Sequence, residues 1–135
     1  MKKGFTLIEL MAVILIIGII AFLTTPVISN IIKENEENAL LQSANNYINE
    51  VNKYIMERVQ DGDELTDGIY EIKNIKVKVK GTRPNINSTI TIHEGEIVDY
   101  RLIYGGDPET SDNNISDLKL VYKSDGKMVV GKYTE

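Results

Sequence analysis

The sequence predicts an α+β chain. One long N-terminal α-helix, its apolar first half protruding, is expected to pack on an antiparallel β-sheet of about four strands in a roll. Three observations predict this. Leu10 to Ile32 is a run of 23 uncharged residues. Apolar residues then recur in steps of three and four as far as Gln60, the period of a helix with one buried face. Beyond Gly68 the period switches to two and turn dipeptides appear, the signature of strands and hairpins. A length of 135 residues fits one domain with an appendage.

Composition narrows the chemistry. Twenty acidic residues against 15 basic ones give a net charge of −5, so a nucleic-acid partner is not expected. With no Cys and one His there is no disulfide, no thiolate metal site and no multi-histidine centre. No Ser has an identifiable base, and no Gly-rich phosphate loop occurs, so an enzyme is not expected. The mean hydropathy of −0.16 averages two unlike parts. Removing Lys2, Lys3 and Glu9 from the count leaves 13 basic and 19 acidic residues after Ile32, a net charge of −6.

The apolar run is long enough to cross a membrane. Phe5 to Thr25 as a helix spans about 32 Å, close to one bilayer core. Lys2 and Lys3 precede the run, while Glu34, Glu36 and Glu37 follow it. The positive-inside rule therefore keeps the N-terminus cytoplasmic and exports the rest. A cleaved secretory signal, with Val27-Ile28-Ser29 as its weak small-residue site, a plain membrane anchor and a buried core helix are the competing readings. None of them explains Glu9, a carboxylate inside the apolar block whose insertion costs about 2.5–3.5 kcal/mol.

The second half of the helix presents a stripe of Leu40, Leu41, Ala44, Tyr47, Ile48, Val51, Tyr54, Ile55 and Val59, read as the docking face for the sheet. Phe5 to Gln60 would be about 84 Å long as one helix. Residues 61–68 end it in an acidic loop. Asp61, Asp63 and Asp67 resemble the first ligands of a calcium loop, but Thr66 and Ile72 stand where Gly and Glu are required, so the loop reads as a solvated turn. A second acidic loop, Gly105 to Asp117, holds Asp107, Glu109, Asp112 and Asp117. Ile75, Val77 and Val79 alternate with Lys76, Lys78 and Lys80 and are expected to form an edge strand with a lysine face. Thr89–Ile92 and Ile97–Tyr104 flank Glu94-Gly95, and Leu118–Tyr122 and Met128–Tyr133 flank Asp125-Gly126. Each pair reads as a hairpin. His93, beside the first turn, reads as an exposed lone histidine. Asn87-Ser88-Thr89 and Asn114-Ile115-Ser116 fit the short, unspecific glycosylation pattern.

Residues 2–9, Lys-Lys-Gly-Phe-Thr-Leu-Ile-Glu, followed by the uncharged run, resemble the class III signal of type IV pilins and pseudopilins. That signal combines a short basic leader, Gly before the cut, Phe after it and Glu four positions on. The resemblance covers Met1 to about Gln60. It implies a leader over 1–4, a transmembrane and polymerisation helix over 5–32, an amphipathic half over 33–60 and a sheet-bearing head over 61–135. It further implies that a prepilin peptidase cuts between Gly4 and Phe5 and methylates the new amine of Phe5. Gly4 gives the peptidase an unobstructed backbone. After the cut, the Phe5 amine and the Glu9 carboxylate are the only charges from Phe5 to Ile32. Neither is tolerable alone in an apolar filament core, whereas paired between subunits they compensate and set register.

Gly18 and Pro26 match the glycine and proline between which the first helix of such filaments often unwinds. Pro26 in a helix interior costs about 3 kcal/mol and Gly18 about 1 kcal/mol, and the Thr24 and Thr25 hydroxyls can serve freed carbonyls. The bland reading is a kinked transmembrane helix. Major pseudopilins of type II secretion carry calcium near their C-terminal loops, so the 105–117 loop is where a metal would be sought; no other cofactor is implied. The implied function is a structural subunit of a type IV pilus serving adhesion or twitching motility. It would start in the cytoplasmic membrane with its N-terminus inside and end in an extracellular filament. Its partners would be further copies of itself, the prepilin peptidase, and the inner-membrane assembly platform with its ATPase. Two alternatives stand: a pseudopilin of type II secretion or DNA uptake, and a membrane-anchored binding domain that never polymerises. The C-terminal disulfide of many Gram-negative pilins has no counterpart in a chain without Cys.

Overall fold

The computed structural model describes residues 4–134; Lys2 and Lys3 of the expected leader lie outside the described residues. Two compact units divide the chain after Glu36. In the first, helix α1 (Leu7–Gln60) begins, and every described residue up to Glu36 is exposed. In the second, the remainder of α1 packs on a five-stranded antiparallel sheet in the order β1-β2-β3-β4-β5. The strands are β1 (Gly68–Glu71), β2 (Thr89–His93), β3 (Glu96–Tyr104), β4 (Lys119–Ser124) and β5 (Lys127–Lys132).

The end of α1 is built from its sequence. Gly62 takes a left-handed φ of 77°, which an L side chain adopts poorly. Gly62 N–H then donates to Val59 at 3.1 Å and Asp63 N–H to Arg58 at 2.9 Å, closing the last carbonyls. The Arg58 guanidinium also meets the Asp63 carboxylate at 3.0 Å.

The core lies between α1 and the sheet. Ala44, Tyr47, Ile48, Val51 and Ile55 meet Ile90, Ile92, Leu102, Tyr104 and Val121. The predicted stripe holds except at Val59, which is 44% exposed because it lies in the last turn, past the sheet-packed residues. Direct partners such as Leu102, Val121 and Val130 stack across β3, β4 and β5 on one face. Both predicted hairpins form. Glu94 and Gly95, and Asp125 and Gly126, all have positive φ, the conformation of a tight two-residue hairpin turn whose twist matches the strands.

Two expectations are corrected. The sheet has five strands rather than about four, because the Gly68–Glu71 stretch, only four residues long and adjoining the acidic loop, pairs with β2. The Ile75–Val79 alternation is not a strand. Ile75 is buried and Val77 and Val79 pack on the core while the lysines are exposed, but no strand is assigned there. Alternation reports which side chains are buried; a strand also needs a backbone partner.

Candidate functional site: the N-terminus of the helix

The first unit carries the residues singled out for processing and assembly. Gly4, Phe5 and Thr6 are non-helical, and Phe5 is 89% exposed. The helix begins immediately afterwards, and its start is fixed by a reciprocal pair. Thr6 Oγ1 accepts the Glu9 N–H at 3.3 Å, and Glu9 Oε2 accepts the Thr6 N–H at 3.0 Å. Thr6 O also accepts from Leu10 N–H at 3.2 Å. This is a capping box, in which Thr at the cap and Glu three residues later satisfy two of the helix's orphan donors. Glu9 in the first turn additionally faces the positive end of the helix dipole.

Glu9 therefore has a role in its own chain that was not expected. Its sequence signal is Thr-x-x-Glu directly before an apolar run, the pattern of a capping box. One carboxylate oxygen is committed to Thr6; the other accepts no hydrogen bond from described residues. The site thus offers a Gly4–Phe5 bond outside the helix and a carboxylate oxygen one turn beyond it.

Gly18 and Pro26 both lie within α1, whose helix assignment runs on through them; the structure shows no unwound segment between them. A Cβ at Gly18 would meet nothing within 4 Å, so no close contact within the chain requires glycine there. Thr24 Oγ1 donates to Ile20 O at 3.0 Å and Thr25 Oγ1 to Ala21 O at 2.8 Å. Neither serves Phe22 O, the carbonyl that Pro26 leaves without its usual donor.

In the second unit the acidic loops do not gather their carboxylates. Asp63 turns to Arg58. Asp67 Oδ2 lies 2.7 Å from His93 Nδ1, and its Oδ1 accepts the Glu94 N–H, tying the start of β1 to the β2–β3 turn. The 105–117 loop is organised by amides. Buried Asn85 donates from Nδ2 to the Asp107 and Thr110 carbonyls at 3.2 and 3.0 Å, and Asn113 donates to the same two at 2.9 and 3.0 Å. Among the described residues no group of three acidic or histidine side chains is placed to hold a metal ion. In the core, the Tyr47 and Tyr104 hydroxyls are buried without a hydrogen-bond partner among described residues. Desolvation pushes both phenols well above their ordinary pKa; Arg83 opposes this at Tyr47, and the neighbouring Tyr47 adds to it at Tyr104.

Leu7–Gln60 contains a stretch long and apolar enough to cross a membrane, none of it buried. Residues 1–25 match the family model described as the prokaryotic N-terminal methylation motif. Comparisons with curated proteins and with solved structures gave no match to this chain. A signal of this class implies processing by a prepilin peptidase and delivery to the associated assembly machinery. The N-terminus is thus a class III methylation signal, consistent with the type IV pilins and pseudopilins and with export by their pathway.

Proposed function

We propose that this chain is the structural subunit of a type IV pilus-like surface filament. The observation that carries the reading is the N-terminal arrangement: a methylation motif whose scissile bond precedes a capped helix, with Glu9 as the sole carboxylate before Ile32. In this reading Lys2 and Lys3 hold the precursor N-terminus in the cytoplasm, and the peptidase removes residues 1–4. The Phe5 amine of an incoming copy then meets the free oxygen of Glu9 on a copy already in the filament. The helix contributes no catalysis; it is the assembly element. The exposed apolar residues from Phe5 to Ile32 would be covered by lipid before assembly and by neighbouring helices after it.

In the filament, Gly18 and Pro26 weaken the helix locally, and an unwound stretch between them would let the fibre extend. The head coats the fibre and supplies adhesion, attachment or motility contacts. A pseudopilin role, in secretion or DNA uptake, differs in filament length and place rather than in the chemistry of the N-terminus. Negative-stain imaging with gold-labelled antibodies to the head, on cells with and without the chain, tests the reading. Labelled surface fibres that vanish with the chain are expected; protein found as dispersed membrane subunits with no fibre would overturn it.

A further inference from the structure

The lysine alternation that failed to become a strand has its own geometry. Val77 and Val79 pack on the core, while Lys76, Lys78 and Lys80, at the alternate positions, are exposed. Among the described residues none of the three has an ion-pair or hydrogen-bond partner, and their backbone makes no hydrogen bond. Several other cations are engaged, Lys53 with Glu50, Arg58 with Asp63, Lys73 with Glu71 and Arg101 with the Thr134 carbonyl. Lys127 and Lys132 are also without an ion pair among the described residues, but they stand singly at the two ends of β5.

The 105–117 loop is the complement. It contains no basic residue, and its exposed carboxylates at Asp107, Glu109 and Asp112 form no ion pair among described residues. Asn85 and Asn113 hold its backbone in place, so the charges are presented without a large ordering cost. The other acidic stretch fits less well, because Asp63, Asp67 and Glu71 already face Arg58, His93 and Lys73. Residues 61–135 hold 14 acidic and 10 basic residues, a net charge of −4; such heads repel when crowded, and a complementary contact both offsets this and fixes register.

We propose that the Lys76–Lys78–Lys80 strip docks on the 107–112 acidic loop of a second copy of this chain. The two surfaces differ, so the contact is heterologous and propagates into an open polymer rather than closing a dimer. The proposal rests on the filament reading and adds the head-to-head contact to it.

The absence of Cys makes the test clean. The full chain carrying K78C and E109C is expressed, its surface fibres are sheared off and oxidised, and the products are run without reductant. A ladder of multimers is expected from the double variant and not from either single one. In parallel, K76E/K78E/K80E should lower the yield of sheared fibres severalfold, and D107K/E109K/D112K in the same chain should restore it. Fibres that assemble normally but give no ladder overturn the contact and leave the filament reading intact. A triple lysine variant that assembles at full yield also overturns it and points to an external anionic polymer on the strip. Wild-type cells without fibres overturn the filament reading and this contact together.

Discussion

Glu9 has two roles that one substitution separates. Its Oε2 caps the helix through Thr6 N–H at 3.0 Å, while its other oxygen is the acceptor proposed for a neighbour's Phe5 amine. Glu9→Gln keeps a side-chain carbonyl for the cap, since Gln serves in capping boxes as Glu does. It replaces the second oxygen with an amide nitrogen, which donates and cannot accept a hydrogen bond, and it removes the charge. Glu9→Ala removes both roles. Losing the cap costs about 0.5–2 kcal/mol of helix stability, whereas leaving one member of a buried ion pair alone costs about 3–5 kcal/mol. The second figure is a factor of about 10² to 10⁴ in the equilibrium for adding a subunit. Both variants should therefore insert into the membrane, and both should fail to appear in sheared fibres. Only Ala should also reduce helix content in detergent, by fraying near residues 6–9. The assay is the ratio of chain in the sheared fraction to chain in the membrane fraction, with circular dichroism as control. A Gln variant that assembles like wild type would show that capping, not charge, is what assembly uses, and would refute the pairing.

Three further outcomes are expected. Asn85→Ala removes two donors to the Asp107 and Thr110 carbonyls and one acceptor of the Asn87 N–H; it should lower head stability by about 2–3 kcal/mol, read by urea titration of detergent-solubilised chain. Raising pH should destabilise the head. Tyr47 and Tyr104 stay neutral when folded but ionise near pH 10 when unfolded, so their contribution is full below that value. It should fall by about 1.4 kcal/mol per pH unit per phenol above it, and Tyr47→Phe should flatten the slope. Pro26→Ala restores a helix donor and should raise the subunit's thermal helix stability by about 3 kcal/mol, while making isolated fibres less extensible in force measurements.

The fold was legible where one rule decided each element. The stripe from Leu40 to Ile55 reported the buried face of α1, and Glu94-Gly95 and Asp125-Gly126 reported the two hairpin turns through the positive φ they supply. It was not legible where pairing depended on distant backbone. Gly68–Glu71 is too short to show a period and becomes a strand only because β2 lies beside it. Ile75–Val79 has the period and no partner. At the candidate N-terminal site, Gly4, Phe5 and Glu9 stand at motif spacing in the sequence, within the stretch that matches the methylation motif. The bond between Thr6 and Glu9 was written in the same residues but obscured by the demand for a charge partner. The amide-built loop around Asn85 could not be foreseen, because nothing local links Asn85 to carbonyls more than 20 residues away.

Mass spectrometry of the N-terminal peptide from sheared surface fibres bears most directly on whether this chain is processed and assembled. Cleavage after Gly4 followed by assembly predicts a peptide that starts at Phe5 with one methyl group on its amine. A peptide starting at Met1, or after a cut near Ser29, or the absence of this chain from the fibres, would contradict it.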